Sequence, residues 1–361
     1  MIDILAWLQT RRAFVHSTVL FLCLLAIATL AALERPLLAE APVFAPTAPV
    51  TKQFAGLAYT PPTTTTYYIY LPLVRHAPLQ NRQESLNFYL QQYLSSEGTP
   101  IGWTGDHDTC NAGNTSQQFR DAVLRRINYF RVMAGVPTVT LKDEYSRKAQ
   151  AAALMMSVNL KLSHSPTPEW WCYSSDGAQA AGSSDLFLGV MGWDAVSGYI
   201  LEGDVVGHRR WILYPQTNEM GTGDIPSTQN YPAANALWVF DDNMWGPRPT
   251  TRNEFVAWPP PGYVPYQVVN NHWSFSYPQA DFSFATVTIA SGGANVPVAL
   301  EPVVIGYGEN TLVWIPLGLG SGGTWPKPQA DTTYTVNVQN VIIGGQNHNF
   351  IYDVIVFDPT P

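Results

Sequence analysis

Two histidines stand in the segments of this chain that are densest in functional side chains. One is His164, in Leu162-Ser163-His164-Ser165-Pro166. The other is His208, in Gly207-His208-Arg209-Arg210-Trp211-Ile212-Leu213-Tyr214-Pro215, which runs on to Gly221-Thr222-Gly223. Imidazoles titrate near neutrality, so a pair brought together by a fold can bind a divalent cation or polarise a water. Kept apart, each would hydrogen-bond loop backbone and hold the fold together. Their separation carries no metal-spacing signal, unlike the two histidines of a His-Glu-x-x-His helix. Ser163 and Ser165 flank His164, but sequence neighbours rarely reach each other productively, and no Gly-x-Ser-x-Gly elbow is present. A serine hydrolase is therefore disfavoured. Arg209 and Arg210 suit either an anion or sugar acid, or salt bridges at a helix surface. Trp211 reads as core, and Trp170, Trp171 and Tyr173 as either core or a flat platform for carbohydrate or lipid.

These side chains need elements to position them. Ser116 suits a helix cap, Phe119, Val123, Ile127 and Phe130 recur at helical spacing, and Gly135 stops the run. A second helix is predicted over Lys142–Leu160, with Tyr145, Ala149, Ala152, Ala153 and Met156 inward and Lys142, Asp143, Glu144, Arg147 and Lys148 solvated. After His164 the reading is a long loop, tied down through Cys172. A third helix is expected around Leu186–Leu201, a short one at His208, and a buried strand over Ala236–Phe240. The glycines at 221 and 223 suit a tight backbone approach.

The run Ile127-Asn128-Tyr129-Phe130-Arg131, followed by Ala134-Gly135-Val136-Pro137, and then the His164 and His208 segments in that order, resemble the motifs of bacterial CAP-domain (SCP-like) proteins. That superfamily also holds the cysteine-rich secretory proteins, antigen 5 and the plant pathogenesis-related proteins. The resemblance covers roughly residues 116–245. It implies an α-β-α sandwich with a cleft of two histidines and two acids that can hold a divalent metal such as zinc. His164 and His208 match the histidine positions and would be the metal ligands. The first acid falls where this chain has Gln179, which lacks the charge; for the second, Glu202 is preferred over Asp204 and Asp194. The superfamily has no single agreed activity, so fold does not fix function here.

The totals narrow the class. Of 361 residues only 13% are charged, about half the usual share, and the net charge of −8 comes without any basic stripe, which argues against nucleic acid as a partner. Arg11-Arg12 ahead of an apolar run from Val19 to Leu33 reads as a secretory signal peptide or an N-terminal anchor over residues 1–41. A Pro/Thr-rich linker follows over 42–81, interrupted by the strand-like Tyr67–Val74. For an exported chain Cys110–Cys172 is the only intramolecular disulfide available, because Cys23 lies in the apolar run. A CAP-like domain over 82–250 ends at a polar boundary, Asp241–Arg252. Beyond it, alternating runs at Trp273–Tyr277, Ala285–Ile289, Thr311–Ile315 and Phe350–Phe357, with a tyrosine-corner-like Asp331–Val338, predict an immunoglobulin-like β-sandwich over 251–361. The fold class expected is α+β. The function expected is an extracellular or surface-anchored binding module for a lipid, glycan or protein, rather than an enzyme. The competing reading is a metal-dependent extracellular hydrolase using the His/His/acid cleft, and membrane contact runs only through the N-terminal segment.

Overall fold

The computed structural model describes residues 81–319 and 325–360. The signal or anchor segment, the linker and Tyr67–Val74 lie outside the described residues.

Helix α1 (Arg82–Phe88) starts at Asn81, whose side chain accepts from the Gln83 N–H, and runs on into a wider turn over Tyr89–Tyr93. Helix α2 (Gln117–Ala134) begins where the Ser116 hydroxyl accepts from the Phe119 N–H and ends at Gly135, whose φ of 78° is left-handed. Helix α3 spans Asp143–Asn159. Two segments differ from expectation. The loop after His164 contains helix α4 (Ser175–Ser183), capped by Ser174 on the Gly177 N–H; its alanines and Gly177 seat it closely on α3, a packing signal that a search for large apolar residues overlooks. The third helix is shorter than expected: Leu186–Leu188 belongs to a strand, and α5 covers only Gly192–Ile200. Helix α6 is the six residues Gly207–Ile212.

These helices enclose a four-stranded sheet of β1 (Thr140–Leu141), β2 (Ser184–Leu188), β3 (Glu219–Ile225) and β4 (Ala234–Trp238), in the order β1-β3-β4-β2. Helices α3 and α4 cover one face, where Ala149, Ala152, Ala153, Ala180 and Ala181 meet Ala234, Ala236 and Trp238. Helices α2, α5 and α6 cover the other, through Ile127, Phe130, Val196, Ile200 and Ile212 on Met220 and Leu237. This is an α-β-α layering. Gly223 is required by it, because a β-carbon there would overlap the backbone of Ala149.

The remaining strands are β5 (Val256–Trp258), β6 (Gly262–Pro265), β7 (Trp273–Tyr277), β8 (Thr286–Ser291), β9 (Ala294–Val296), β10 (Val298–Leu300), β11 (Asn310–Pro316), β12 (Thr332–Ile343) and β13 (Gln346–Phe357). They form two sheets, β10-β11-β7-β5 and β6-β13-β12-β8-β9, with β6 parallel to β13 and the other pairs antiparallel. Trp273, Phe275 and Trp314 of one sheet share a core with Tyr334, Val336, Tyr352 and Val354 of the other. The Trp273 and Tyr334 rings meet edge to face at 5.8 Å.

The expected polar boundary is a stitched seam, and the core runs through it. Phe130 of α2 meets Trp258 of β5 at 5.2 Å, ring to ring. Arg252 donates to the carbonyls of Val132 and Met133, which close the end of α2, and Arg248 pairs with Glu309. Asp241 accepts from the Asn218 and Glu219 N–H groups. Arg209 and Arg210 are neither anion ligands nor surface ion pairs, which corrects both readings of them. Arg209 is fully buried and donates to the carbonyls of Ile200, Glu202 and His272, to Ser274 Oγ and to Asn270 Oδ1. Arg210 donates to the carbonyls of Val304 and Glu309. Burial lowers the Arg209 guanidinium to about 9 against the pull of Glu202, which leaves it charged at neutral pH.

Arg209→Leu strands this whole acceptor set in the interior. The expected loss is on the order of 3–5 kcal/mol of stability, read as a lowered urea midpoint, and Arg209→Lys is expected to recover only part of it because an ammonium cannot span the acceptors.

Candidate functional site

The loop between α5 and α6 carries the site. Glu202 leaves the end of α5 and turns back: its Oε1 accepts from the Arg209 N–H at 3.0 Å, and its Oε2 lies 2.6 Å from His208 Nδ1. One carboxylate therefore caps the first turn of α6 and grips that helix's histidine. The backbone makes this possible: Asp204 and Val206 both adopt left-handed φ, 58° and 49°, which folds the loop tightly enough to bring residue 202 beside 208. The Glu202 carbonyl is held in turn by Asn270 Nδ2 at 2.7 Å.

His208 keeps 37% of its side chain exposed. Burial by itself lowers its pKa, but the hydrogen bond to Glu202 and the charge of that carboxylate outweigh this and push it up to about 9. At neutral pH the ring is an imidazolium that donates to Glu202. The Tyr199 ring lies 5.1 Å from it, and the Tyr199 hydroxyl donates to Asn235 Oδ1. Asn235 continues to Thr222 and Asp224, and Asp224 accepts from the Gly192 N–H that opens α5. The site is thus tied to the central sheet and to the start of its own helix.

Asp185, on β2, escaped the sequence reading. It is 2% exposed, its Oδ2 has no hydrogen-bond partner, and burial drives its pKa well above the carboxylate range while the charges of His208 and Glu202 act on it. The available signal was one acid inside the otherwise apolar or small run Ser183–Leu188.

The second part of the chain completes the rim. A β-carbon at Gly203 would stand 3.1 Å from His272 Cε1, and one at Gly207 would stand 3.1 Å from Tyr307 Cδ1, so both glycines make room for rings from the β-rich half. His272 Nε2 lies 3.9 Å from Glu301.

The other expected site residues lie elsewhere. Gln179 is exposed on α4 and accepts from Lys148 Nζ of α3 at 2.9 Å, because the helix that forms there turns it outward; it contacts neither histidine. Asp204 and Asp194 are exposed. His164 is also exposed, with Nδ1 2.9 Å from the Ala181 carbonyl at the end of α4. Among the described residues no group of three or more His, Cys, Asp or Glu side chains is arranged to hold a metal ion. The donors at hand do not fit zinc: Glu202 spends both oxygens on α6, and an imidazolium cannot ligate. Cys110 and Cys172 form the disulfide, closing a 62-residue separation worth ~4 kcal/mol in the chain-entropy account.

Two pH profiles test this geometry. The raised His208 pKa means that its pairing stabilises fully below about 6.5, the ordinary value, and is lost as pH rises through about 9. The Tm gap between wild type and His208→Gln is therefore expected to shrink between pH 6.5 and 9.5. Asp185 runs the other way: the folded state holds a proton that the unfolded chain releases above about pH 4, so Asp185→Asn is expected to raise Tm at pH 7 and leave it unchanged at pH 3.

The family model for CAP, the cysteine-rich secretory protein family, matches residues 124–241, which supports CAP-family membership over the stretch holding α3–α6 and the four-stranded sheet. No curated protein matches the chain.

Proposed function

We propose that this chain is an extracellular CAP-domain binding protein and not a hydrolase. The observation that carries the reading is the closed Glu202–His208 pair. A general base must be free to take a proton near the working pH, yet this ring is already protonated and its carboxylate is already spent on two N–H donors. What the pair leaves outward is His208 Nε2, a donor without a partner among the described residues, at a rim shared with His272 and Tyr307. A fixed donor beside aromatic rings orients a bound molecule; it does not activate water. Export is supported by the signal-like N-terminal sequence together with the Cys110–Cys172 disulfide. Among the described residues no helix is long and apolar enough to cross a membrane. The β-rich half is read as an immunoglobulin-like sandwich, supported by its two facing sheets, antiparallel except for the β6–β13 pair, and by Tyr334 against Trp273 and Trp325. Ligands of the kind this module would take are glycans, lipids or other surface proteins.

One observation favours hydrolysis: Asp185 and Glu202 are two carboxyls in very different surroundings, the pattern of an acid and a base. Burial argues against it, because Asp185 at 2% exposure cannot meet a substrate.

The test is turnover of chromogenic ester, peptide, glycoside and phosphodiester substrates by the full chain, with and without added zinc, against His208→Ala. The expected result is the same background rate for both proteins in every condition. Turnover by the wild type that His208→Ala abolishes while remaining folded would overturn the reading.

A further inference from the structure

Around the disulfide the aromatic side chains form a continuous ladder. Trp103 meets His107 at 4.9 Å, His107 stacks on Tyr231 at 4.8 Å with the ring planes 17° apart, and Tyr231 meets Trp171 at 5.8 Å. The ladder surfaces at Trp171, which is 43% exposed, and Tyr173, two residues further on, is 37% exposed. Trp170 directly precedes Trp171 in sequence, with Lys161 Nζ 4.3 Å from its ring centroid.

These rings are held rigidly for a surface loop. Asn159, the last residue of α3, grips Trp171 in both directions, donating to its carbonyl at 2.9 Å and accepting from its N–H at 3.1 Å. The Trp170 and Tyr173 N–H groups close successive turns on Thr167 and Trp170, and Cys172 is bonded to Cys110. Tyr231 is fixed from the far side by its hydroxyl on Asp108 Oδ1 at 3.3 Å. A large apolar face left in water and then locked is costly unless something covers it.

The rim narrows what that is. Asp106 and Glu169 are exposed, and hydrogen bonds from Thr109 to Asp106 and from Thr167 to Glu169 hold both below the ordinary carboxylate range. Asp108 is exposed beside them, and the whole chain carries −8. Three carboxylates thus stand against Lys161 on the Trp170 ring, and this negative balance around the rings disfavours an anionic lipid surface or an acidic polymer. Flat apolar faces ringed by hydrogen-bonding acceptors suit a pyranose, whose C–H face stacks on indole while its hydroxyls bond at the edge.

We propose that Trp171 and Tyr173, braced by Cys110–Cys172 and Asn159, form a binding ledge for a neutral or amine-bearing polysaccharide. This rests on the binding-module reading and names its ligand class and its place, a surface distinct from the His208 rim. The probes are chito-, gluco- and polygalacturonate oligosaccharides, with anionic phospholipid vesicles as the competing surface, all titrated against the full chain by calorimetry. Saturable binding of the first or second probe is expected, with little of the third. Trp171→Ala is expected to weaken it at least about tenfold, Trp171→Phe to recover most of it, and Trp245→Ala to leave it unchanged, although Trp245 is 85% exposed. The disulfide and melting temperature of each variant show whether it is folded. Failure of both sugars to bind, or Trp171→Ala binding like wild type, overturns the ledge. Vesicle binding lost in Trp171→Ala also overturns the glycan assignment but leaves the binding-module reading standing, whereas catalysed breakdown of the oligosaccharide defeats that reading itself.

Discussion

A six-residue helix closes too few hydrogen bonds to persist by itself, and α6 is that short. It is held because two of its side chains are guanidinium groups for which the interior has been built. A buried guanidinium is tolerable only when its N–H donors meet acceptors. Arg209 finds five, from α5, the following loop and the strand β7 region, and Arg210 finds two more on the β10–β11 side. Reaching these acceptors fixes α6 against both halves of the described chain at once, although the Arg210 Nε stays without a partner. Arg131 repeats the device from α2, donating to the carbonyls of Pro137, Ile212, Tyr214 and Thr217 around the end of α6.

The site inherits its properties from that anchoring. With Arg209 and Arg210 pointing into the protein, their neighbour His208 is left at the surface of the same short helix, and Glu202 is drawn to the helix start to meet the Arg209 N–H. The carboxylate that charges the imidazole is thereby the one that caps the helix. This couples the charge of the imidazole to the capping of the helix. Acid–base catalysis calls for a group that changes state near the working pH, and here the geometry holds one state from acid to well above neutrality. Rigid presentation of a donor is the use that such an arrangement does support.

Much of this was legible in the residues. Ser116, Gly135 and the Phe119–Phe130 stripe define α2, the alternating runs mark the strands of the β-rich half, and Gly221 and Gly223 announce close packing of β3. Other features were hidden for identifiable reasons. Apart from Asp176 and Gln179, helix α4 is made of alanine, glycine and serine, so its inward face carries no large apolar signal. Gln179 was placed by family position, yet the helix turns it to Lys148. Arg209 and Arg210 read as surface charge because their acceptors are mostly backbone carbonyls, contributed from up to 99 residues away, which no local pattern encodes. Asp185 was lost for a similar reason: its role depends on β2 lying beside the α5–α6 loop, a tertiary fact.

The most direct measurement is the protonation state of His208 itself, followed by nitrogen NMR of the imidazole across pH 5–10. The account predicts both ring nitrogens protonated at neutral pH and a midpoint near 9, moved toward the ordinary histidine value in Glu202→Gln. A His208 ring that is neutral at pH 7, with one bare nitrogen, would contradict it and return the site to the candidates for a base or a metal ligand.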